Sequence, residues 1–238
     1  VSVLYLIRHG QAGTRENYDT LSELGRRQAR LLGEHLAAQG VRFDRVIAGR
    51  LSRQQQTAQE TLGALGARTE IETDAGWDEF DLAGVYAGIA PQLCEADPEF
   101  RRQYEDMQAQ IAASRGAHGA TVHRKWNECD KAVVRAWVEG RLPFSGESWQ
   151  GFQARVEAAF LRLQQNGDQE HIAVFTSATP IGIAAARTLE IRDGRVFQFA
   201  GVLHNAALST FRRTPAEVRL FTFNNVAHLS DPAMRTFR

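Results

Sequence analysis

The sequence predicts an α/β fold, a three-layer sandwich with a mainly parallel central sheet flanked by helices and a helical insertion. Three observations predict it. Apolar runs short enough for buried strands alternate with stretches of helical periodicity, the pattern of a parallel sheet with crossover helices. The first run, Leu4-Tyr5-Leu6-Ile7, has no polar alternation and reads as a strand buried on both faces. The middle, from Pro91 to Gly140, is instead polar and helix-forming with few β-branched runs. A chain of 238 residues can bury one sizeable core, so residues 1–238 read as a single domain with 91–140 as a helical cap inserted into it.

The elements follow in order. The first strand ends in Arg8-His9-Gly10, and a polar loop spans Ala12 to Thr20. Ser22 is a fitting N-cap for a helix in which Leu24, Leu31, Leu32 and Leu36 recur at helical spacing to Ala38, with Gly40 as its stop. Phe43 to Ala48 is the second strand, Ser52 to Leu65 the second helix and Thr69 to Thr73 a short strand. Two or three helices are expected in the insertion, packed over the sheet edge and punctuated by Pro91, Pro98 and the Gly116–Gly119 stretch, which with His118 reads as a mobile loop. After Gly146-Glu147-Ser148, an amphipathic stripe of Trp149, Phe152, Val156, Phe160 and Leu163 marks a helix. His171 to Thr176 is a strand, Ile181 to Leu189 a helix with Pro180 near its first turn, and Ala207 to Arg212 and Val218 to Phe223 are antiparallel or edge strands. The tail after Pro232 reads as an irregular arm.

Composition excludes several roles. Formal net charge is zero, so no global field attracts nucleic acid or a membrane surface. Only two of the 28 basic residues, Lys125 and Lys131, are lysines, which leaves arginine to supply almost all positive charge. Cys94 and Cys129 form no CxxC or zinc spacing and read as free thiols. No apolar run has membrane-spanning length and no signal peptide is visible, so the expected location is the cytoplasm. The sequence carries no readable sign of oligomeric state.

The candidate chemistry begins at the end of the first strand. Ligands of open α/β sheets bind at the carboxyl edge of the strands. Arg8 and His9 would be delivered there by a rigid element, and Gly10 would let the backbone turn closely around a ligand. Further blocks follow in order. They are Leu21-Ser22-Glu23-Leu24-Gly25 with Gln28-Ala29, Leu51 to Ala58 around Arg53, Trp77-Asp78-Glu79-Phe80-Asp81, Gly146-Glu147-Ser148, and Thr176 to Ile181. In content and order these blocks resemble the histidine phosphatase (phosphoglycerate-mutase-like) superfamily, over perhaps two thirds of the chain.

The resemblance implies a phosphatase that works through a phosphohistidine, and each residue has a chemical reason for its role. His9 is the nucleophile, attacking phosphorus in line through a neutral ring nitrogen while the other nitrogen donates to an acceptor, such as a carbonyl near Gly10. Arg8 and Arg53 form a clamp, since guanidinium groups match phosphate oxygens bidentately and neutralise their charge. Glu79 is the general acid for the leaving alkoxide, its proton retained by apolar neighbours, with Asp78 and Asp81 as competitors. Gln11 and Asn17 could add polar contacts to phosphate, although Asn17 lies farther from His9 than the family pattern has it. Glu147 either orients an arginine or caps a helix. His171 reads as an ordinary strand residue, and His204 and His228 as packing or loop anchors.

One position departs from the family. Its second histidine stands four residues before an isoleucine or valine, and counting back from Ile181 gives Ser177. Serine keeps one hydroxyl donor for phosphate but loses charge and reach, although His204 could fill the gap. Loss of one preorganised donor lowers a rate roughly 10²–10³-fold without abolishing it. The expectation is therefore a phosphatase of a small phosphorylated substrate or phosphoprotein, possessing no cofactor and no metal because arginines do the work of a cation. The alternatives are a weakened or inactive member that binds a phospho-ligand or protein, and a phosphoglycerate mutase.

Overall fold

The computed structural model describes residues 1–13, 18–113, 128–164, 169–191, 195–214 and 216–237. Asn17 and the Gly116–Gly119 stretch with His118 lie outside the described residues. The chain divides into two compact units, Val1–Glu79 with Ala154–Arg238, and Phe80–Gln153.

The first unit holds a six-stranded mixed sheet, mostly parallel: β1 (Ser2–Arg8), β2 (Arg45–Ala48), β3 (Ile71–Thr73), β4 (His171–Thr176), β5 (Leu208–Arg213) and β6 (Val218–Asn225) in the order β3-β2-β4-β1-β5-β6. Strands β1 to β4 are mutually parallel, and β5 and β6 close one side in antiparallel register. The apolar run of β1 is buried along nearly its whole length. One sheet face, with Tyr5, Ile7, Val46, Ala48, Ala173 and Phe175, packs against Leu32 and Leu36 of α1 (Glu23–Ala38) and Ala58 and Leu62 of α2 (Ser52–Leu65). On the other face, Phe160 of α6 (Trp149–Gln164) meets Phe211 of β5 edge to face at 5.3 Å, and α7 (Ala178–Thr188) packs on β1.

Ser22 caps α1 as its sequence position predicts, accepting the Gly25 N–H at 3.0 Å. The loop from β1 to α1 is pinned by a close backbone approach. A Cβ on Gly10 would stand 2.4 Å from the Gly25 carbonyl oxygen, and a Cβ on Gly25 would stand 2.1 Å from that of Gln11. Glycine is therefore required at both positions by contact between chain segments.

Several boundaries differ from the sequence reading. β2 starts at Arg45, while Phe43 stays buried beside it with its ring edge to face against Tyr5 at 5.2 Å. α7 begins at Ala178, three residues early, because Pro180 is tolerated in a first turn whose N–H groups lack intrahelical partners anyway. A short helix, α8 (Val196–Ala200), has no periodic signal. The terminal arm contains a 3-10 turn at Pro232–Met234.

The second unit contains α3 (Leu82–Ala96), α4 (Pro98–Ala113) and α5 (Glu128–Glu139). Pro91 does not break a helix as its sequence position suggests, but lies inside α3, where Gln92 Nε2 donates to the Gly88 carbonyl at 2.7 Å. An aromatic cluster joins Phe80, Trp137, Trp149 and Phe152, with Phe80 stacked on Trp137 at 4.8 Å and Trp137 edge-on to Trp149 at 5.5 Å. Tyr86 donates to Asp130, and burial followed by that carboxylate pushes the phenol well above its ordinary range. Among the described residues no helix is long and apolar enough to cross a membrane.

Candidate active site

β1, β2 and β4 run parallel, so their carboxyl ends share one sheet edge. β1 leads to α1 on one face, and its neighbour β4 leads to α7 on the other. The crevice between β1 and β4 is thus a topological switch point, where two chain segments leave the sheet in opposite directions and expose their backbone to a ligand. His9 follows β1 and Ser177 follows β4 at this crevice. Their backbones are tied, since the His9 N–H donates to the Thr176 carbonyl at 2.9 Å.

His9 is buried, and its ring is fixed on both sides. Nδ1 lies 2.7 Å from the Gly10 carbonyl oxygen, which can only accept, so Nδ1 carries the proton. The other nitrogen, Nε2, then holds its lone pair and accepts from Arg53 Nε at 3.3 Å. The His9 carbonyl accepts the Ala206 N–H at 3.2 Å and Asn205 Nδ2 at 3.3 Å, which anchors the residue from the β5 side.

Arg53 lies in the first turn of α2, also buried. Its guanidinium donates from Nη1 to Asp19 at 2.9 Å and stands 4.9 Å above the Tyr18 ring. Thr57, one turn on, donates to the Arg53 carbonyl at 2.6 Å and accepts the Gly10 N–H at 3.0 Å. A single helical turn thereby ties the arginine to the loop carrying His9. Arg8 is buried too, with its guanidinium donating to the Leu203 carbonyl.

Glu79 reaches the N-terminal turn of α7, where its Oε2 accepts the Thr179 N–H at 3.2 Å. The competing aspartates have other partners. Asp78 is buried and accepts the backbone N–H of Arg50 at 2.6 Å and its Nε at 2.7 Å. Asp81 caps α3 by accepting the Gly84 N–H at 2.9 Å. Ser177 is buried at the N-cap of α7 but makes no side-chain cap bond, and its Oγ accepts Gln54 Nε2 at 2.9 Å. The Gln11 carboxamide oxygen accepts from Ser22 Oγ at 2.8 Å, so that end of the side chain faces the α1 cap.

His9 and Arg53 are thus in direct contact, Ser177 is one residue from the Thr176 carbonyl that holds His9, and Glu79 sits on the same turn as Ser177. His204 is held elsewhere, by Asn224 Oδ1 at 2.8 Å from its backbone N–H and by the Phe237 ring at 4.1 Å. His171 contacts Tyr5 Oη at 3.3 Å at the opposite end of β4. His228 is buried beside His35, with ring centroids 6.1 Å apart. Ser148, rather than Glu147, caps α6 by accepting the Gly151 N–H at 3.1 Å. Asp19, Tyr18, Gln54 and Asn205 carry no sequence signal of a role here, and each joins the site through a contact distant in sequence.

The histidine phosphatase superfamily (branch 1) profile matches residues 4–141 and 116–226. The chain belongs to this family. Serine/threonine-protein phosphatase PGAM5, mitochondrial, of Mus musculus is 29% identical over 196 residues, or 78% of this chain. The chain spans 61% of the length of that relative. Two solved structures share the fold over nearly the whole chain. YhfR of Bacillus stearothermophilus has a TM-score of 0.67 at 17% identity, covering 97% of this chain and 100% of its own. A mutant phosphoserine phosphatase from Entamoeba histolytica in complex with phosphoserine has a TM-score of 0.63 at 18% identity, covering 96% of this chain and 100% of its own.

Proposed function

We propose that this histidine phosphatase family member hydrolyses a phosphomonoester through a phosphohistidine on His9. The supporting observation is the state of the His9 ring, with Nδ1 donating to the Gly10 carbonyl and Nε2 presenting a lone pair beside the Arg53 guanidinium. A neutral imidazole held in one tautomer needs no proton removed before attack.

The steps follow from the chemistry. Arg53 and Arg8 pair with non-bridging phosphate oxygens, so Arg53 exchanges its contact with His9 Nε2 for one with phosphate. Nε2 attacks phosphorus in line as the ester P–O bond breaks. Glu79 gives its proton to the leaving alkoxide, then takes one from the water that displaces phosphate from His9. Gln11 contributes a carboxamide N–H to the phosphate, and Ser177 its hydroxyl. Charge neutralisation by two arginines makes the reaction metal-independent. The substrate is a small phosphorylated molecule or a phosphoprotein. The names of the relatives, a protein serine/threonine phosphatase and a phosphoserine phosphatase, favour a phosphoester of a serine-type hydroxyl.

Hydrolysis of an aryl phosphate by the parent and by His9→Ala tests this reading. Turnover by the parent and its loss in His9→Ala are expected. Equal activity in both, or none in either across a broad phosphoester panel, overturns it.

Ser177 favours a second reading, a member that binds a phospho-ligand without turning it over. In that case the parent binds inorganic phosphate, and restoring a histidine at position 177 gives no turnover even where space is made for it.

A further inference from the structure

Gln54 follows Arg53 in α2 and is completely buried. Its Nε2 donates to Ser177 Oγ at 2.9 Å and to the Trp77 carbonyl at 3.2 Å. The Trp77 carbonyl also accepts Thr176 Oγ1 at 2.5 Å. That carbonyl fixes the orientation of the carboxamide, because exchanging its ends would set two acceptor oxygens against each other. The other end is costly: Gln54 Oε1 is buried and has no hydrogen-bond partner among the described residues. It lies close against the backbone, since a Cβ on Gly49 would stand 2.0 Å from it and could be admitted only if the Gln54 side chain shifted.

The orientation has a consequence for Ser177. Its Oγ accepts from Gln54, so its own O–H must donate elsewhere. No acceptor for that O–H is found among the described residues, although Ser177 is buried at the sheet edge beside His9. An oxyanion at His9 supplies the acceptor.

We infer that Gln54 is a positioning residue that turns the Ser177 hydroxyl into a fixed donor to a non-bridging phosphoryl oxygen, the pair together replacing a single histidine donor. The inference rests on the phosphoryl-site reading above. The same pair would resist a histidine at position 177. An imidazole Cγ would occupy the place of Ser177 Oγ, and a carbon 2.9 Å from Gln54 Nε2 lies inside van der Waals contact before the ring is added. In the χ1 rotamer of Ser177, a histidine at position 177 would therefore clash with Gln54.

The test is a double-mutant cycle on the full chain, read both by inorganic phosphate affinity and by kcat and KM on an aryl phosphate. Gln54→Met keeps the packing and removes the donor. Ser177→Ala is expected to lower kcat about 10²-fold, Gln54→Met about 10-fold, and the double variant no further than Ser177→Ala. Phosphate affinity should show the same lack of additivity, so the readout survives even when turnover is absent. Gln54→Met, which also removes the unpaired oxygen, should melt no lower than the parent, which separates positioning from folding. Ser177→His should be no faster than the parent, and Ser177→His with Gln54→Ala at least 10-fold faster than Ser177→His alone. Multiplicative losses, or Gln54→Met equal to the parent in phosphate affinity and rate, overturn the inference. Unchanged hydrolysis in His9→Ala with the coupling intact would instead overturn the phosphohistidine reading and leave the Gln54–Ser177 pair standing.

Discussion

Arg53 Nε points at His9 Nε2 across 3.3 Å, so the guanidinium rests on the lone pair of that ring nitrogen. The contact keeps the ring nitrogen aimed into the crevice and unprotonated, because a protonated Nε2 would face a cationic donor. In the proposed reaction Arg53 is a gate, since phosphate would have to draw the guanidinium away before Nε2 attacks.

Arg53→Lys tests this relationship. An ammonium keeps the charge but lacks the planar fork that holds Asp19 while another N–H turns from His9 to phosphate. The expected result is a roughly 10²-fold loss in kcat/KM on an aryl phosphate, with a thermal midpoint within a few degrees of the parent. Parent-like kinetics would show that charge alone suffices.

A second prediction concerns the far side of His9. Asn205 is completely buried and links three segments. Its Nδ2 donates to the His9 carbonyl at 3.3 Å, its backbone N–H to the Thr236 carbonyl at 2.7 Å, and its Oδ1 accepts Thr236 Oγ1 at 2.9 Å. Gln28 completes the clasp, accepting the Gln11 N–H at 2.8 Å and donating to the Met234 carbonyl at 2.7 Å and to Thr236 Oγ1 at 2.9 Å. The C-terminal arm thus braces both ends of the His9–Gln11 turn. Asn205→Ala leaves buried partners unpaired and should cost about 1–3 kcal/mol in urea denaturation. It should also lower kcat about 10-fold with KM little changed, because His9 loses orientation rather than phosphate contacts. A stability loss with unchanged kcat would limit Asn205 to a structural role.

The strand ends and the ordering of Arg8, His9, Arg53 and Glu79 were legible because they depend on local pattern. An apolar run with no polar alternation must be buried on both faces, and its polar terminus must emerge at the sheet edge. Counting from Ile181 also located Ser177, which the structure puts at the N-cap of α7 beside the end of β4. What supports these residues was not legible. Gln54, Gln55 and Gln56 are the same residue type in sequence, yet the helix turns Gln54 inward to Ser177, Gln55 to the Gly49 carbonyl at 2.7 Å and Gln56 to the Leu21 N–H at 2.8 Å. Only the register of α2 against β4 and the β1–α1 loop separates them. Asn205 and Asp19 likewise sit in irregular segments, where no periodicity reports which backbone group a side chain will meet. Pro91 misled because proline is read as a breaker, while tertiary packing carries α3 through it.

pH supplies a third prediction. Burial, then the neighbouring His35, pulls His228 from its ordinary 6.5 down to about 4, against a hydrogen bond to the Ala206 backbone that raises it. Between these values the unfolded chain takes up a proton that the folded chain refuses. Stability from this residue is therefore complete above about pH 6.5 and is lost as pH falls toward 4, by about 3 kcal/mol in all. Urea denaturation from pH 7.5 to 4 should show this decline, and His228→Leu should flatten it. An unchanged slope in His228→Leu would assign the acid sensitivity to other groups.

If His9 takes up the phosphoryl group, rapid quench of a single turnover will trap it there. Mass spectrometry of peptides kept at alkaline pH should find an acid-labile phosphoryl group on His9, formed and lost at rates matching turnover, and absent from His9→Ala. Turnover without that species, or with the phosphoryl group on another residue, would contradict the account.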